Sequence, residues 1–221
     1  MRPSDAVARA AALGHAGLGI ADVNTLAGVV RAHVAAREVG IRCVVGARLV
    51  LLDGAEYLAW PTDRAGFGRL CRLLSLRQMN APKGEARITH DQMLEHAEGW
   101  VLAAVPGRGK DLDGQLQADV AAMRGRLALP LLVAVACTAR GADRARLDGL
   151  ARAARAAGAE LLASNDARYH APGRRPLADV LTAIRLGTTM DALGYAAEPN
   201  AERCLLGRHP GQPGSAVHTQ P

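Results

Sequence analysis

Short apolar runs alternate along this chain with segments of helical periodicity, and the apolar runs end in polar residues. The clearest runs cover residues 16–21, 42–52, 100–105, 127–137 and 160–163. Runs of this kind are typical of buried strands, and their alternation with helices favours a mainly parallel sheet or barrel. Such strands deliver their last side chains to one rim. The sequence therefore predicts an α/β fold whose candidate functional residues lie where the runs end.

Helices and a hairpin connect these strands. The pair Asp53-Gly54 predicts a turn, which is followed by a return strand from Glu56 to Trp60. Three helical segments carry apolar residues at positions i, i+3, i+4 and i+7. These residues are Phe67, Leu70, Cys71 and Leu74 in the first segment, Leu147, Leu150, Ala151 and Ala154 in the second, and Leu177, Val180, Leu181 and Ile184 in the third. A stripe of this spacing is typical of a helix that packs one face against a core.

Composition narrows the class of protein. The 221 residues, 49% of them hydrophobic, are enough for one substantial core. The net charge of +6 is compatible with a nucleic-acid partner, but the arginines are interleaved with acids, which is more typical of solvated helix faces. No apolar run reaches the length of about eighteen residues expected of a membrane span. The four widely spaced cysteines favour reduced thiols, so a cytoplasmic location is expected.

The strand ends carry the candidate site residues. Asp22 and Val23 end the first run, Arg48 lies in the second, and Asp166, Arg168 and His170 follow the last. For Asp22, capping of the next helix is preferred over metal binding, because lone carboxylates cap helices far more often than they hold metals alone. In an extended segment His170 would share a face with Arg168, which leaves a contribution of its imidazole open.

Five blocks of sequence carry a family resemblance. They are residues 17–33, 57–74, 83–85, 164–170 and 200–203. In order and spacing they resemble the PHP (polymerase and histidinol phosphatase) domain at the front of bacterial C-family DNA polymerases, the DNA polymerase III alpha subunits, and most of all their error-prone, damage-tolerance branch. The resemblance implies a distorted (β/α)7 barrel over residues 1–206. Residues 207–221 are rich in Pro, Gly, His and Gln without periodicity, which predicts a disordered tail. The family's first strand would lie upstream of Arg2, so the barrel is expected to lack it.

The resemblance also implies a degenerate metal site. In family members whose site is intact, His, Glu and His stand at the positions of Val23, Arg48 and Arg168. A valine has no lone pair to give a metal, and a guanidinium repels one. The remnants of the site are Asp22, Asp166 and His170. No metal cofactor and no catalytic residue are therefore expected in this fragment, with Mn or Zn binding as the alternative.

Arg48 has two interpretations. In the first, it neutralises Asp22 or Asp166 and takes the place of the metal, because carboxylates left at an empty site repel one another and one cation relieves that repulsion. In the second, which is about equally strong, it is an exposed arginine on a strand.

The resemblance implies a role inside a larger polymerase. Nucleotidyl transfer in this family uses carboxylates of a palm domain, which would lie downstream of this chain, so we expect a structural and interaction domain serving DNA replication and translesion repair. The implied partners are the remaining polymerase domains, the sliding clamp, damage-tolerance accessory proteins and, through the full polymerase, DNA. The alternatives are a free-standing metal-dependent PHP phosphoesterase and a truncated gene product without an independent role.

Overall fold

The fold is built from six strands and six α-helices within the described residues. The computed structural model describes residues 1–79, 81–82, 87–107, 118, 120–121, 123, 126–127, 131–139 and 141–207. The strands are β1 (Gly17–Val23), β2 (Arg42–Val50), β3 (Glu56–Pro61), β4 (Trp100–Ala104), β5 (Leu132–Val135) and β6 (Glu160–Ala163). The α-helices are α1 (Pro3–Ala12), α2 (Val29–Val39), α3 (Arg64–Met79), α4 (His90–His96), α5 (Asp143–Ala157) and α6 (Arg175–Leu186). The tail predicted at 207–221 lies outside the described residues from position 208 onward.

The strands form one mixed sheet in the order β1-β2-β3-β4-β5-β6, so β1 and β6 are its edges. The pairs β1/β2, β4/β5 and β5/β6 are parallel, whereas β3 runs antiparallel to both of its neighbours. The reversal occurs at the predicted turn, where Gly54 has a φ of 85°, a conformation that glycine adopts without a steric penalty. The predicted α/β class is confirmed, and the described sheet curves into a half-barrel.

Two apolar clusters hold helices α1 to α5 on the sheet. The larger joins strands β2 to β5 to helices α3, α4 and α5, and the smaller joins α1, β1 and α2 through Val7, Ile20, Ala32 and Ala36. In α3 the buried face includes Leu70 and Leu74 of the predicted stripe, but Phe67 is 37% exposed. Leu73 is buried in its place. The helix was therefore predicted correctly, while its buried face is rotated slightly from the predicted stripe.

Two glycines, Gly19 in β1 and Gly46 in β2, leave room for the indole ring of Trp60. A Cβ atom added at Gly46 would lie 2.5 Å from Trp60 Cδ1 and 2.6 Å from Ala59 O, so only glycine fits at this position of β2. A Cβ atom added at Gly19 of β1 would meet Trp60 Nε1 at 3.6 Å. The Trp60 ring therefore lies across β1 and β2, in the floor of the cleft described below.

The C-terminal segment contacts the residues that follow β6 and the residues that precede β1. Arg203 O accepts a hydrogen bond from Arg168 N at 2.9 Å, and Cys204 forms an isolated parallel bridge with Tyr169. Leu206 O accepts a hydrogen bond from His15 Nε2 at 2.9 Å. Since His15 precedes β1 and Tyr169 follows β6, this segment links the regions beside the two edge strands.

Candidate functional site

A cleft of about 1010 Å³ lies where the strands end. Its walls include residues from β1, β2 and β3, from the ends of β4 and β5, and from the loop after β6. The charged side chains that line it include Asp22, Arg48, Glu56, Asp166, Arg168 and Arg203. The topology thus brings most of the predicted strand-end residues to one place, and adds others from distant parts of the chain.

Asp22 holds the start of the next helix. Its Oδ2 accepts a hydrogen bond from the backbone N–H of Gly28 at 2.8 Å, and Gly28 is the residue that precedes α2. A Cβ atom at position 28 would lie 2.5 Å from that oxygen, so the contact needs glycine there. Asp22 thus accepts a hydrogen bond from the backbone amide just before α2, where a carboxylate is favourable, but Gly28 and not Asp22 occupies the N-cap position.

Val23 and Arg48, two of the substituted positions, are neighbours. They are Cα partners in the parallel register of β1 and β2, and the Val23 side chain is exposed. The next residue, Asn24, fixes this end of β1 by pairing its side-chain amide with both backbone groups of Val50, at 2.9 and 3.2 Å. These two hydrogen bonds tie the end of β1 to the end of β2.

Arg48 is held between two carboxylates. Its Nη1 lies 3.0 Å from Asp166 Oδ1, and its Nε donates to Glu56 Oε2 at 2.5 Å. Burial lowers the pKa of the guanidinium, but the charges of Asp166 and Glu56 outweigh burial, so the pKa is raised. The structure thus shows Arg48 paired with Asp166, as the first interpretation expects, while its role in place of a metal stays a prediction.

Asp166 is shared by two arginines. Its Oδ2 pairs with Arg203 Nη2 while its Oδ1 pairs with Arg48. The residue has a φ of 41°, in the left-handed region, and its N–H donates to Ser164 Oγ at 3.1 Å. Because Asp tolerates this conformation better than most residues, the loop can turn its carboxylate toward both guanidinium groups.

The pairing continues to Glu198 and Arg168. Glu198 Oε1 lies 3.0 Å from Arg203 Nη1 and 3.2 Å from Arg168 Nη1, and the side chains of Glu198 and Arg203 are 6% and 7% exposed. Burial and the neighbouring Arg203 lower the pKa of Arg168, although Glu198 and Asp166 oppose them. We call the whole array the ion-pair chain, which runs Glu56, Arg48, Asp166, Arg203, Glu198, Arg168. Its formal charges, three positive and three negative, cancel.

His170 is half-buried and is not among the residues that line the cleft, whereas Arg168 lines it. The fold therefore does not bring His170 to the cleft together with Asp22 and Asp166. Across the described ranges, no three His, Cys, Asp or Glu side chains are grouped so that they could hold a metal ion.

The donor set does not fit a divalent cation. Asp166 and Glu56 already face the guanidinium of Arg48, so a metal would have to displace a charged arginine from each carboxylate it used. Asp22 uses one oxygen on the Gly28 amide. A protein site for a divalent cation needs three or more donor atoms with free lone pairs, and arginine has none to offer.

Sequence reasoning missed Glu56, Glu198 and Arg203. Glu56 begins the predicted return strand, so the hairpin register could have placed it near Arg48. Arg203 ends a block that was noted for its resemblance, but 37 residues separate it from Asp166. No periodicity or spacing connects residues at that separation, and the contact depends on the return of the C-terminal segment.

The family follows from the sequence profile together with this fold. The profile of the PHP domain matches residues 1–162, well over half of the chain. The half-barrel with its cleft at the strand ends agrees with that match. The chain belongs to the PHP domain family. The boundary predicted at residue 206 lies beyond the matched range and stays a prediction.

Curated relatives within this family are error-prone DNA polymerases. The error-prone DNA polymerase of Caulobacter vibrioides is 42% identical over 195 residues, which are 88% of this chain and 18% of the polymerase. The error-prone DNA polymerase of Brucella abortus is 42% identical over 215 residues, which are 94% of this chain and 20% of the polymerase. The chain therefore spans about a fifth of the length of the curated relatives it matches.

Solved structures share the fold at low identity. An amidohydrolase from Chromobacterium violaceum has a TM-score of 0.54 and 14% identity, covering 73% of this chain and 80% of its own. A Bifidobacterium adolescentis protein, provisionally assigned as a metal-dependent phosphoesterase, has a TM-score of 0.52 and 17% identity, covering 74% of this chain and 81% of its own. At these identities the likeness concerns the fold alone. Within the described part of the chain, no helix is both long and apolar enough to cross a bilayer.

Proposed function

We propose that this chain is the PHP-domain part of an error-prone DNA polymerase and serves as a structural and interaction domain with no metal at its strand ends. The observation that carries the proposal is the shared carboxylate of Asp166, which pairs with both Arg48 and Arg203. Guanidinium groups thus neutralise a position where an intact member of the family would need free oxygen donors. Polymerisation itself is assigned to the parts of the relatives that lie outside the matched region.

The proposal has a direct test by metal titration. Isothermal calorimetry with MnCl₂ and with ZnCl₂ is expected to give no saturable binding to the unsubstituted chain. A variant with Val23→His, Arg48→Glu and Arg168→His restores two imidazoles and one carboxylate, and we expect it to gain binding. The matched control carries the same three chemical changes on exposed positions, Val30→His, Arg37→Glu and Arg144→His.

The titration can either support or overturn the proposal that the strand ends hold no metal. Tight stoichiometric binding by the unsubstituted chain would overturn the proposal, since the ion-pair chain would then fail to exclude cations. Binding gained by the restored variant and not by the control would tie the exclusion to the strand ends. A folded restored variant without any binding would count against the role assigned to the arginines.

The rival function is that of a free-standing metal-dependent phosphoesterase. Hydrolysis of an aryl phosphate in the presence of Mn²⁺ separates the two functions, because turnover without the rest of a polymerase is expected only of the rival. The control is Asp166→Ala, which removes the carboxylate shared by the two arginines. Metal-dependent turnover that disappears in this variant would favour the rival, and its absence at every metal concentration favours a structural role.

The proposed partners follow from the polymerase relatives. They are the remaining polymerase domains, the sliding clamp and damage-tolerance accessory proteins, with DNA reached through the full polymerase in replication and translesion repair. A cytoplasmic location belongs to the same proposal. Co-purification of the chain with a tagged error-prone polymerase, measured against the same preparation without the tag, tests the first of these partnerships.

A further inference from the structure

Helix α6 exposes its apolar face. The stripe formed by Leu177, Val180, Leu181 and Ile184 has exposed fractions of 51%, 39%, 54% and 70%. These positions are separated by three and four residues, so they form one continuous ridge along the helix. Exposed apolar residues continue beyond the helix at Met190 and Tyr195. A contiguous apolar surface of this kind marks a contact site, whereas single exposed hydrophobic residues need no explanation.

The opposite face of α6 fixes the orientation of that ridge. Asp179 and Ala183, one turn apart, are the buried residues of the helix. Asp179 Oδ1 accepts a hydrogen bond from Glu198 N at 3.0 Å, and Asp179 Oδ2 lies 3.5 Å from Arg175 Nε. Because a buried carboxylate with these partners cannot turn outward without losing them, the apolar ridge is held toward solvent.

The charges beside the ridge argue against a second copy of this chain as its partner. Exposed Arg174 lies just before the helix and exposed Arg185 near its end, whereas Arg175 is paired with Asp179. The one acidic residue of the helix, Asp179, is buried and paired. If two copies packed ridge to ridge, either parallel or antiparallel, arginines would face arginines, and like charges across an interface are unfavourable. The complementary partner is an apolar groove with carboxylates at its rim.

We infer that the α6 ridge docks into an apolar, acid-rimmed groove on the part of the polymerase that lies outside the matched region. The inference rests on the proposed function. About four fifths of the length of each curated relative lies outside that region, so a large covalently linked surface is available to cover the ridge. An amphipathic helix laid in a groove, anchored by residues at i, i+3, i+4 and i+7, is a recurrent mode of such contacts.

A chimera tests the docking surface in a complete polymerase. In it, the Caulobacter vibrioides error-prone DNA polymerase carries this chain in place of its own 195 aligned residues. Hydrogen–deuterium exchange of peptides covering 175–186 is compared between the chimera and the isolated chain. We expect exchange in the chimera to be slower by on the order of tenfold, because a docked helix opens less often.

Two variants make the comparison specific. Leu181→Glu with Ile184→Glu places charges on the ridge and is expected to return the exchange of α6 in the chimera to the rate of the isolated chain. Val30→Glu with Val34→Glu is the matched control, since these α2 residues are also exposed, by 71% and 51%. It is expected to leave the protection of α6 in the chimera unchanged. Neither pair should shift the unfolding midpoint of the isolated chain appreciably, because all four side chains face solvent.

Each result decides the inference. Protection of α6 that is lost in the ridge variant and kept in the control supports it. A chimera that polymerises while α6 exchanges as fast as in the isolated chain overturns the inference and leaves the proposed function standing. Dimers of the isolated chain with α6 protected would overturn it in favour of a second copy. A chimera that neither folds nor polymerises would contradict both the proposed function and the inference.

Discussion

Helices α3 and α6 carry apolar stripes of the same spacing, but the stripe of α3 is largely buried and that of α6 is exposed. In α3 the stripe turns inward, and Leu70 and Leu74 are buried in the larger apolar cluster. In α6 the stripe turns outward, and the side chains that face the protein are Asp179 and Ala183. Periodicity therefore predicts that a helix forms, but the direction of its apolar face depends on which neighbours the fold provides.

The difference has a physical cause in what lies beside each helix. Helix α3 packs against α4 and β3, where apolar surface is available to cover it. Helix α6 packs against the segment around Glu198, whose backbone amide needs an acceptor and finds Asp179. A buried amide left without a partner costs roughly 1–3 kcal/mol, so the polar contact selects the inward face of α6.

The largest effect is expected at Arg203, which stabilises the segment that α6 packs against. Arg203→Met removes the arginine that Asp166 and Glu198 share, so the ion-pair chain keeps three carboxylates but only two arginines. We expect the free energy of unfolding to fall by about 3–5 kcal/mol. Urea unfolding followed by circular dichroism measures it. Arg168→Met, at a side chain that is 47% exposed, is the control and should cost much less.

The second prediction compares the two stripes directly. Leu70→Ala empties a fully buried site in α3 and is expected to lower the free energy of unfolding by about 2–5 kcal/mol. Leu181→Ala in α6 should change it by no more than about 0.5 kcal/mol in the isolated chain, because the side chain faces solvent. Equal losses at the two positions, measured by urea unfolding, would show that the apolar face of α6 is buried in solution.

The third prediction concerns the residue that orients α6. Asp179→Ala removes the acceptor of the Glu198 amide and is expected to cost about 1–3 kcal/mol of unfolding free energy. Asp179→Asn keeps a carbonyl oxygen for that amide and should recover part of the loss. Faster hydrogen exchange of α6 in the alanine variant is the second readout. An alanine variant as stable as the original chain would mean that another contact orients the helix.

The smallest effect on stability is expected from a change of pH that titrates the buried thiol of Cys204, in the same C-terminal segment. Burial and the nearby charge of Glu202 raise the pKa of the Cys204 thiol above its ordinary value of 9.0. The unfolded chain therefore loses this proton first as pH rises, so stability is complete below about pH 9 and declines above it. Cys204→Ala should flatten the alkaline limb of the stability profile measured by thermal unfolding. An unchanged limb would assign the decline to other groups.

Local structure was readable from the sequence because its causes are local. The turn at Asp53-Gly54 and the strand from Glu160 to Ala163 appear where they were predicted, since turn residues and apolar runs act over a few positions. The contact between Asp22 and the start of α2 is local in the same way, because the amide that Asp22 accepts from is only six residues away. The mixed direction of the sheet follows from that same hairpin.

The amino-acid sequence alone determined the α/β class, the order of helices and strands, and the presence of Asp22, Arg48 and Asp166 at strand ends. Only the tertiary structure decided that Asp166 meets Arg203 and that the apolar face of α6 points outward. Both depend on the return of the C-terminal segment, which brings Glu198 and Arg203 next to groups far away along the chain. Pairing of charges and burial of a backbone amide depend on distances in space, and no local pattern of residues records those distances.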